Sequence, residues 1–353
     1  MESKAAPRIA VIGAGLIGLR HVELVSKHPD ARLVAVVEPD QRGADIARDA
    51  GVPWHRELDE LLAREPPDAV IIATPSALHV KHALACIRAR VAVLVEKPIA
   101  TTVGDGARLV AAAETSGVPL LVGHHRRHSP FLAAARTVIG SGLLGDVVAV
   151  AATTVFLKPD GYFDAAPWRR RPGGGPILIN LIHDIDALRM VVGDVVTVQA
   201  TASHQVRRLE VEDTAAVTLR FASGAVGTML VSDAATSLLS WELTAGEDPA
   251  YPRHDGQDCY TIAGTRGSLG IPSMRLTTYG AEPSWREPTQ TSIVPVTRAD
   301  PLVAQLEHFS AVIRRDADPL VSGRDALETL RVTLAIQQAA RSGHTVACAP
   351  ARP

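Results

Sequence analysis

Between residues 8 and 122 the chain repeats one pattern: a short run rich in Val, Ile and Ala, then a stretch with helical spacing of apolar residues. The apolar runs fall at 8–12, 32–37, 69–72, 91–95 and 118–122, and the helical stretches at 16–28, 41–50, 57–63, 77–88 and 103–116. Unbroken β-branched runs read as strands covered on both faces. Strands that alternate with helices pair through crossover connections, which yields a parallel sheet flanked by helices, the doubly wound α/β arrangement. Ligands of such sheets bind beyond the carboxyl ends of the strands. The residues that directly follow each run are therefore the first candidates for function.

The first of these ends is Gly13-Ala-Gly15-Leu16-Ile17-Gly18, between a strand and a helix. In a G-x-G-x-x-G turn the first glycine makes the tight turn, the second lets the backbone approach a pyrophosphate, and the third packs helix on strand. The helix amino terminus then faces the phosphates. The second run ends at Glu38, 20 residues after Gly18, where a carboxylate accepts from adenosine ribose hydroxyls or merely solvates a strand end. A carboxylate there repels a 2′-phosphate, which favours NAD; Arg42 keeps NADP open. Thr74 and Pro75 follow the next run, and His79 either faces the cofactor or sits on a helix face. Val91–Val95 leads into Glu96-Lys97-Pro98, which places an amine at the ligand edge. After Gly123 the run His124-His125-Arg126-Arg127-His128 reads either as a solvated charged face or as one or two residues lining the crevice.

Beyond Gly123 the rhythm changes. Helical patterns near 130–140 and 176–192 bracket a strand at 146–157, and polar-alternating, turn-separated strands follow. The runs Thr214–Phe221 and Ala225–Val231, joined through Ser223-Gly224, read as a hairpin. This pattern predicts an α+β domain with a mostly antiparallel open sheet, closed by amphipathic helices at 300–315 and 323–341. The expected division is 1–123 and 124–353, with the closing helices packing back on the first domain. Within the second part, Gly173-Gly-Gly175-Pro176 precedes a helix bearing Ile179, Asn180, His183, Asp184 and Asp186. Its glycines read as freeing the backbone for a ligand. A histidine on such a helix is often a satisfied core residue, but the glycine run ahead of it and a sheet that needs a proton acceptor favour a functional role.

A net charge of -2 offers no attraction to nucleic acid or an anionic membrane. The three cysteines, Cys86, Cys259 and Cys348, lie too far apart for a disulfide framework or a metal knuckle, so reduced thiols and no metal site are expected. No apolar run reaches the ~18 residues of a membrane span. The amino terminus lacks the apolar stretch of a signal peptide, so a cytoplasmic protein is expected.

Taken together, these residues resemble the Gfo/Idh/MocA oxidoreductases, the group of glucose–fructose oxidoreductase and inositol dehydrogenase. The resemblance is carried, in order, by Gly13…Gly18, Glu38, Ala73-Thr74-Pro75 with His79, and Glu96-Lys97-Pro98. It continues through Gly123…Arg127…Pro130, Trp168-Arg169, Gly173-Gly-Gly175…His183-Asp-Ile-Asp186 and Asp325-Ala-Leu…Ala335-Ile, so it covers nearly the whole chain. It implies a Rossmann domain with an α+β domain whose sheet packs on another subunit in a homodimer or homotetramer. It also implies NAD(P)-linked hydride transfer at a carbinol or carbonyl carbon of a sugar, polyol or related small molecule.

By that resemblance Lys97 and His183 are the catalytic pair, and the Lys97–Pro98 bond is cis. Gly13, Gly15, Leu16, Ile17, Gly18, Glu38, Thr74, Pro75, His79, Glu96 and Lys97 face the cofactor. His125, Arg127, Trp168, Arg169 and Asn180 fall on the substrate side. One departure stands out: many members carry an aspartate four residues before the histidine, where this chain has Ile179, with Asn180 as a neutral neighbour. Arg169-Arg170-Arg171 fit an acidic substrate such as a uronate, or a solvated basic loop. Two alternatives stand beside a dehydrogenase: an enzyme that recycles a tightly bound NAD, and a non-catalytic NAD-binding regulator. The presence of both Lys97 and His183 argues against the regulator.

Overall fold

The computed structural model describes residues 5–280 and 282–348. The chain forms two compact units, one of residues up to His125 together with Leu302–Leu330, the other of Arg126–Pro301 together with the segment from Arg331 onward.

The first unit alternates as the periodicity predicts: β1 (Arg8–Ile12), α1 (Leu16–Lys27), β2 (Arg32–Val37), α2 (Arg42–Asp49), β3 (Trp54–His55), α3 (Leu58–Arg64), β4 (Ala69–Ile72), α4 (His79–Arg88), β5 (Ala92–Glu96), α5 (Val103–Ser116) and β6 (Leu120–Gly123). The strands lie in the order β3-β2-β1-β4-β5-β6, every pair parallel. Only β3 escapes the sequence reading, because two residues cannot show a period. Strands β4, β5 and β6 are buried at every position, as expected of strands covered on both faces. Helix α1 buries Gly18, His21, Val22 and Val25, one stripe at helical spacing. The order reverses between β1 and β4, and that switch point is where a doubly wound sheet opens a crevice for its ligand.

The second unit begins with α6 (Pro130–Gly140), whose start is set by Ser129 accepting from the Phe131 amide and by Pro130 in the first turn. It continues with β7 (Val147–Val155), α7 (Asp160–Asp164), α8 (Ile182–Val191), β8 (Val195–Ser203), β9 (Thr214–Phe221), β10 (Val226–Ser232), α9 (Trp241–Thr244), β11 (Tyr260–Gly264), β12 (Gly267–Ile271), β13 (Arg275–Tyr279) and β14 (Thr289–Ile293). Helices α10 (Pro301–Ile313) and α11 (Gly323–Ser342) and the short β15 (Val346–Ala347) close the chain. The sheet runs β14-β13-β12-β11-β7-β10-β9-β8-β15 and is antiparallel except for the β7–β10 pair. The expected hairpin is present, with Thr218 opposite Thr228 and the Ser223-Gly224 turn between the strands. Residues of β9 alternate buried and exposed, and the buried set (Ala215, Val217, Leu219, Phe221) shares a core with Phe131 and Leu132 of α6 and Ile185 and Leu188 of α8. Each such fully buried Leu, Ile or Phe contributes about 1.5–3 kcal/mol of apolar transfer energy. The other face leaves Val148, Val226 and Leu230 exposed.

Candidate active site

At the carboxyl ends of the parallel strands stand Gly13 after β1, Glu38 after β2, Ala73-Thr74 after β4, Glu96-Lys97 at β5, and His124-His125 after β6. Gly13 has φ +88, and a Cβ there would come within 2.6 Å of the Ala73 carbonyl oxygen. Only glycine lets the β1 turn close against the end of β4. Gly15 is the N-cap of α1, with no side chain capping the helix, and a Cβ at Gly15 would meet nothing within 4 Å. An uncapped helix start with open space before it is a ready anion site. Leu16 is 74 % exposed and Ile17 half-buried, so this first turn also offers an apolar surface. Glu38 accepts from the Ala14 amide at 2.7 Å, which ties the end of β2 to the glycine turn, and Arg42 lies 3.6 Å from the same carboxylate oxygen. This chain's own residues thus fit a dinucleotide: the turn and the α1 start for the pyrophosphate, and Glu38 for the adenosine ribose.

The remaining ligand-edge residues are held from behind. Pro75 is exposed and Thr74 half-buried. His79 is only 1 % exposed, and its ring nitrogens lie 2.8 Å from the carbonyl oxygens of Pro98 and Thr74. Burial holds its pKa below the usual histidine value, so at neutral pH the ring donates to one carbonyl at a time. Its place is therefore a brace between the Thr74 turn and the segment after β5, where the Lys97–Pro98 bond is cis. Glu96 is buried and lies 2.8 Å from His21 Nε2 on α1. Burial by itself would raise its pKa; the His21 hydrogen bond and charge, helped by His125 and Lys97, carry it below the ordinary value. Lys97 is half-buried, and its amide donates to Glu96 Oε2 at 3.3 Å. His125 is half-buried in a 3₁₀ turn, His125–His128.

In the second unit the segment before α8 is not a plain α-helix. Ile177–Leu181 forms a π-helical turn, and the α-helix proper starts at Ile182. Such an insertion shifts the angular register and recurs at functional sites. In the glycine run ahead of it, a Cβ at Gly173 would meet nothing within 4 Å, while the two glycines that follow lie against this chain's own groups. A Cβ at Gly175 would come within 2.3 Å of the Glu212 carboxylate, and one at Gly174 within 2.6 Å of the Arg169 backbone. The small residues admit this chain's own groups, and Glu212 caps the helical segment by accepting from the Ile177 amide at 3.0 Å.

His183 is buried in the first turn of α8. That helix is latched by consecutive arginines. Arg126 donates to Asp184 at 2.7 Å and to Glu242 at 2.5 Å, and Arg127 grips Asp186 through Nε at 2.6 Å and Nη2 at 2.9 Å. Tyr260 donates its hydroxyl to Asp184. The solvated-face reading of this charge run fails at both arginines, because buried carboxylates on α8 require them. Trp168 is largely exposed, whereas Arg169 donates to the Tyr162 carbonyl and lies over the Tyr162 ring. Asn180 accepts from Lys158 at 2.6 Å. Lys158 was missed by the sequence reading, although it stands three residues beyond the end of β7, the same strand-end placement that marked Lys97.

The family model described as "Oxidoreductase family, NAD-binding Rossmann fold" matches residues 7–124, and that described as "Oxidoreductase family, C-terminal alpha/beta domain" matches residues 136–348. The chain belongs to the Gfo/Idh/MocA oxidoreductase family. As in the family, the first unit is an NAD-binding Rossmann domain. Among curated relatives, 1,5-anhydro-D-fructose reductase of Ensifer adhaerens is 30 % identical over 95 % of this chain and 97 % of its own. The scyllo-inositol 2-dehydrogenase (NAD(+)) of Bacillus subtilis is 27 % identical over 96 % and 95 %. Among solved structures, the WlbA dehydrogenase of Bordetella pertussis, in complex with NADH and UDP-GlcNAcA, is 26 % identical with a TM-score of 0.79 and covers 99 % of this chain and 100 % of its own. The resemblance and the fold expected from the sequence hold over both units.

Proposed function

We propose that this oxidoreductase transfers hydride between a carbinol or carbonyl carbon of a sugar- or polyol-like substrate and NAD, with Lys97 and His183 as the catalytic pair. The observation that carries the reading is the amine of Lys97 at the carboxyl end of β5, in a Rossmann sheet whose β1 turn and α1 start suit a pyrophosphate. When bound, the nicotinamide accepts or returns the hydride. His183 takes the hydroxyl proton in oxidation and returns it in reduction, a role suited to imidazole in both directions. Lys97 donates a hydrogen bond to the same oxygen and stabilises the charge that builds there. Glu38 at the end of β2 favours NAD over NADP, since a carboxylate repels a 2′-phosphate. Curated relatives that act on anhydrofructose and scyllo-inositol support a carbohydrate-like substrate. The sheet face that exposes Val148, Val226 and Leu230 is the surface for self-association.

The test is an absorbance screen at the NADH band over sugars, inositols and sugar acids, in both directions and with NAD and NADP. NADH accumulates if the reading holds; conversion without net NADH identifies a recycled cofactor. His183→Ala lowers turnover by about 10²–10⁴-fold with NAD affinity unchanged. Equal loss of NAD binding would make His183 a structural residue.

A further inference from the structure

Lys158 is 7 % exposed, and a buried ammonium needs partners that neutralise it. Those it has do so only in part. Asn180, which accepts from it at 2.6 Å, is neutral. The Asp233 carboxylate lies 3.6 Å away but also accepts from Arg207 Nε at 3.0 Å, so one anion serves two cations. Glu242, the other acid that acts on Lys158, is bonded to Arg126 at 2.5 Å. The ammonium rests instead on aromatic faces, 4.8 Å from the centre of the Tyr162 ring and 5.6 Å from that of Phe156.

A further cation crowds the same place. The Arg169 guanidinium carbon lies 3.8 Å from the centre of the Tyr162 ring, and Arg169 repels Lys158. Arg169 Nε is buried and has no acceptor. Like charges gathered on one ring, with a buried donor that has no acceptor, are relieved by an anion. The cluster adjoins the π-helical turn that leads into His183, through Asn180. At position 179 stands Ile179, so no carboxylate there opposes an anion.

We propose that Lys158, with Arg169 and Asn180, forms an oxyanion-binding subsite that selects substrates carrying a carboxylate, a sugar acid rather than the neutral sugar. The proposal rests on the dehydrogenase reading above for the identity of its ligand as substrate. Lys158 supplies the charge, Arg169 the Nε–H, and the Asn180 amide a neutral donor. Burial and the Arg169 charge push the Lys158 pKa down to about 8, and a bound carboxylate raises it again.

Calorimetric titration of the NADH-loaded protein with D-glucuronate and D-gluconate, against D-glucose and D-glucitol, tests this. The acids bind more tightly than their neutral counterparts in the native protein. Lys158→Met weakens the acids by about tenfold or more while neutral sugars change by less than about twofold. Arg169→Gln weakens the acids to a smaller degree, and Lys158→Arg restores most of the binding. NADH affinity and melting temperature report whether each variant is folded. The proposal is overturned if neutral sugars bind as well as acids, if Lys158→Met leaves acid binding intact, or if Lys158→Met weakens both classes equally. A parallel assay of NADH formation with the same compounds separates the two ideas. Acid binding that depends on Lys158 without hydride transfer refutes the dehydrogenase reading and leaves the subsite standing.

Discussion

Glu96 in the first unit and Glu247 in the second are nearly equally buried, at 5 % and 8 % exposure, yet their acidities move in opposite directions. Glu96 faces an imidazole, His21, which can share its proton and carry charge, and its pKa lies below the ordinary value. Glu247 accepts from the neutral donors Ser129 Oγ at 2.6 Å and Trp241 Nε1 at 3.0 Å, and the Arg126 charge acts on it less than either bond. Burial therefore dominates and pushes its pKa up to about 7. Burial sets the size of the electrostatic problem, and the charge of the partner decides its sign. Both braces join distant parts of the chain: at the ligand edge of the first unit Glu38 meets Ala14, 24 residues away, and Glu96 meets His21, 75 residues away, while α8 is held by pairs 58 to 76 residues apart.

The sharpest way to break the comparison is to remove a charged partner where the acids depend on it. Arg126→Met leaves Asp184 and Glu242 buried without their cation and destabilises the protein by about 3–5 kcal/mol in urea unfolding. A loss below about 1 kcal/mol would mean that the arginine is not what holds those acids.

Glu247→Gln tests the opposite case. An acid whose folded pKa is raised binds a proton that the unfolded chain has released. Stability from this group therefore falls as pH rises from the ordinary glutamate range to about 7. The amide variant lacks that slope and is more stable than the native protein above pH 7, by up to about 3 kcal/mol. Parallel stability–pH curves for variant and native protein would contradict the assignment.

Glu96 carries the reverse sign. Its depressed pKa contributes stability above the unfolded-chain value, and that contribution is lost as pH falls through the folded value. His21→Ala removes the partner, leaves burial to raise the pKa, and costs about 1–3 kcal/mol at neutral pH. Unfolding measured from pH 3 to 8 shows whether the acid-side slope disappears with the imidazole. The smallest effect belongs to the cofactor edge. Glu38→Ser removes the carboxylate beside Arg42 and shifts preference toward NADP by about tenfold in the ratio of kcat/KM values.

Most of the first unit was legible in the sequence because its signals are local. The Val/Ile runs, the glycine turn with its φ-positive Gly13, and the strand-end residues Glu38, Glu96 and Lys97 each declare themselves within a few residues. His79 shows where that grammar stops: its position at the ligand edge was readable, but its commitment to the Thr74 and Pro98 carbonyls was not. In the second unit the hairpin and the helix bearing His183 were readable. The π-turn at Ile177–Leu181 was not, since the extra residue leaves no mark in apolar spacing.

The sequence by itself thus determined the order of strands and helices, the dinucleotide turn and the placement of an amine at a strand end. These follow from periodicity, glycine stereochemistry and the polarity of parallel strands, all short-range properties. Tertiary structure alone decided that Arg126 and Arg127 clamp α8, that Glu96 and Glu247 titrate in opposite directions, and that Lys158 meets Asn180 and Arg169 around one tyrosine ring. Desolvation and ion pairing depend on which groups share a buried volume, and those groups come from distant parts of the chain.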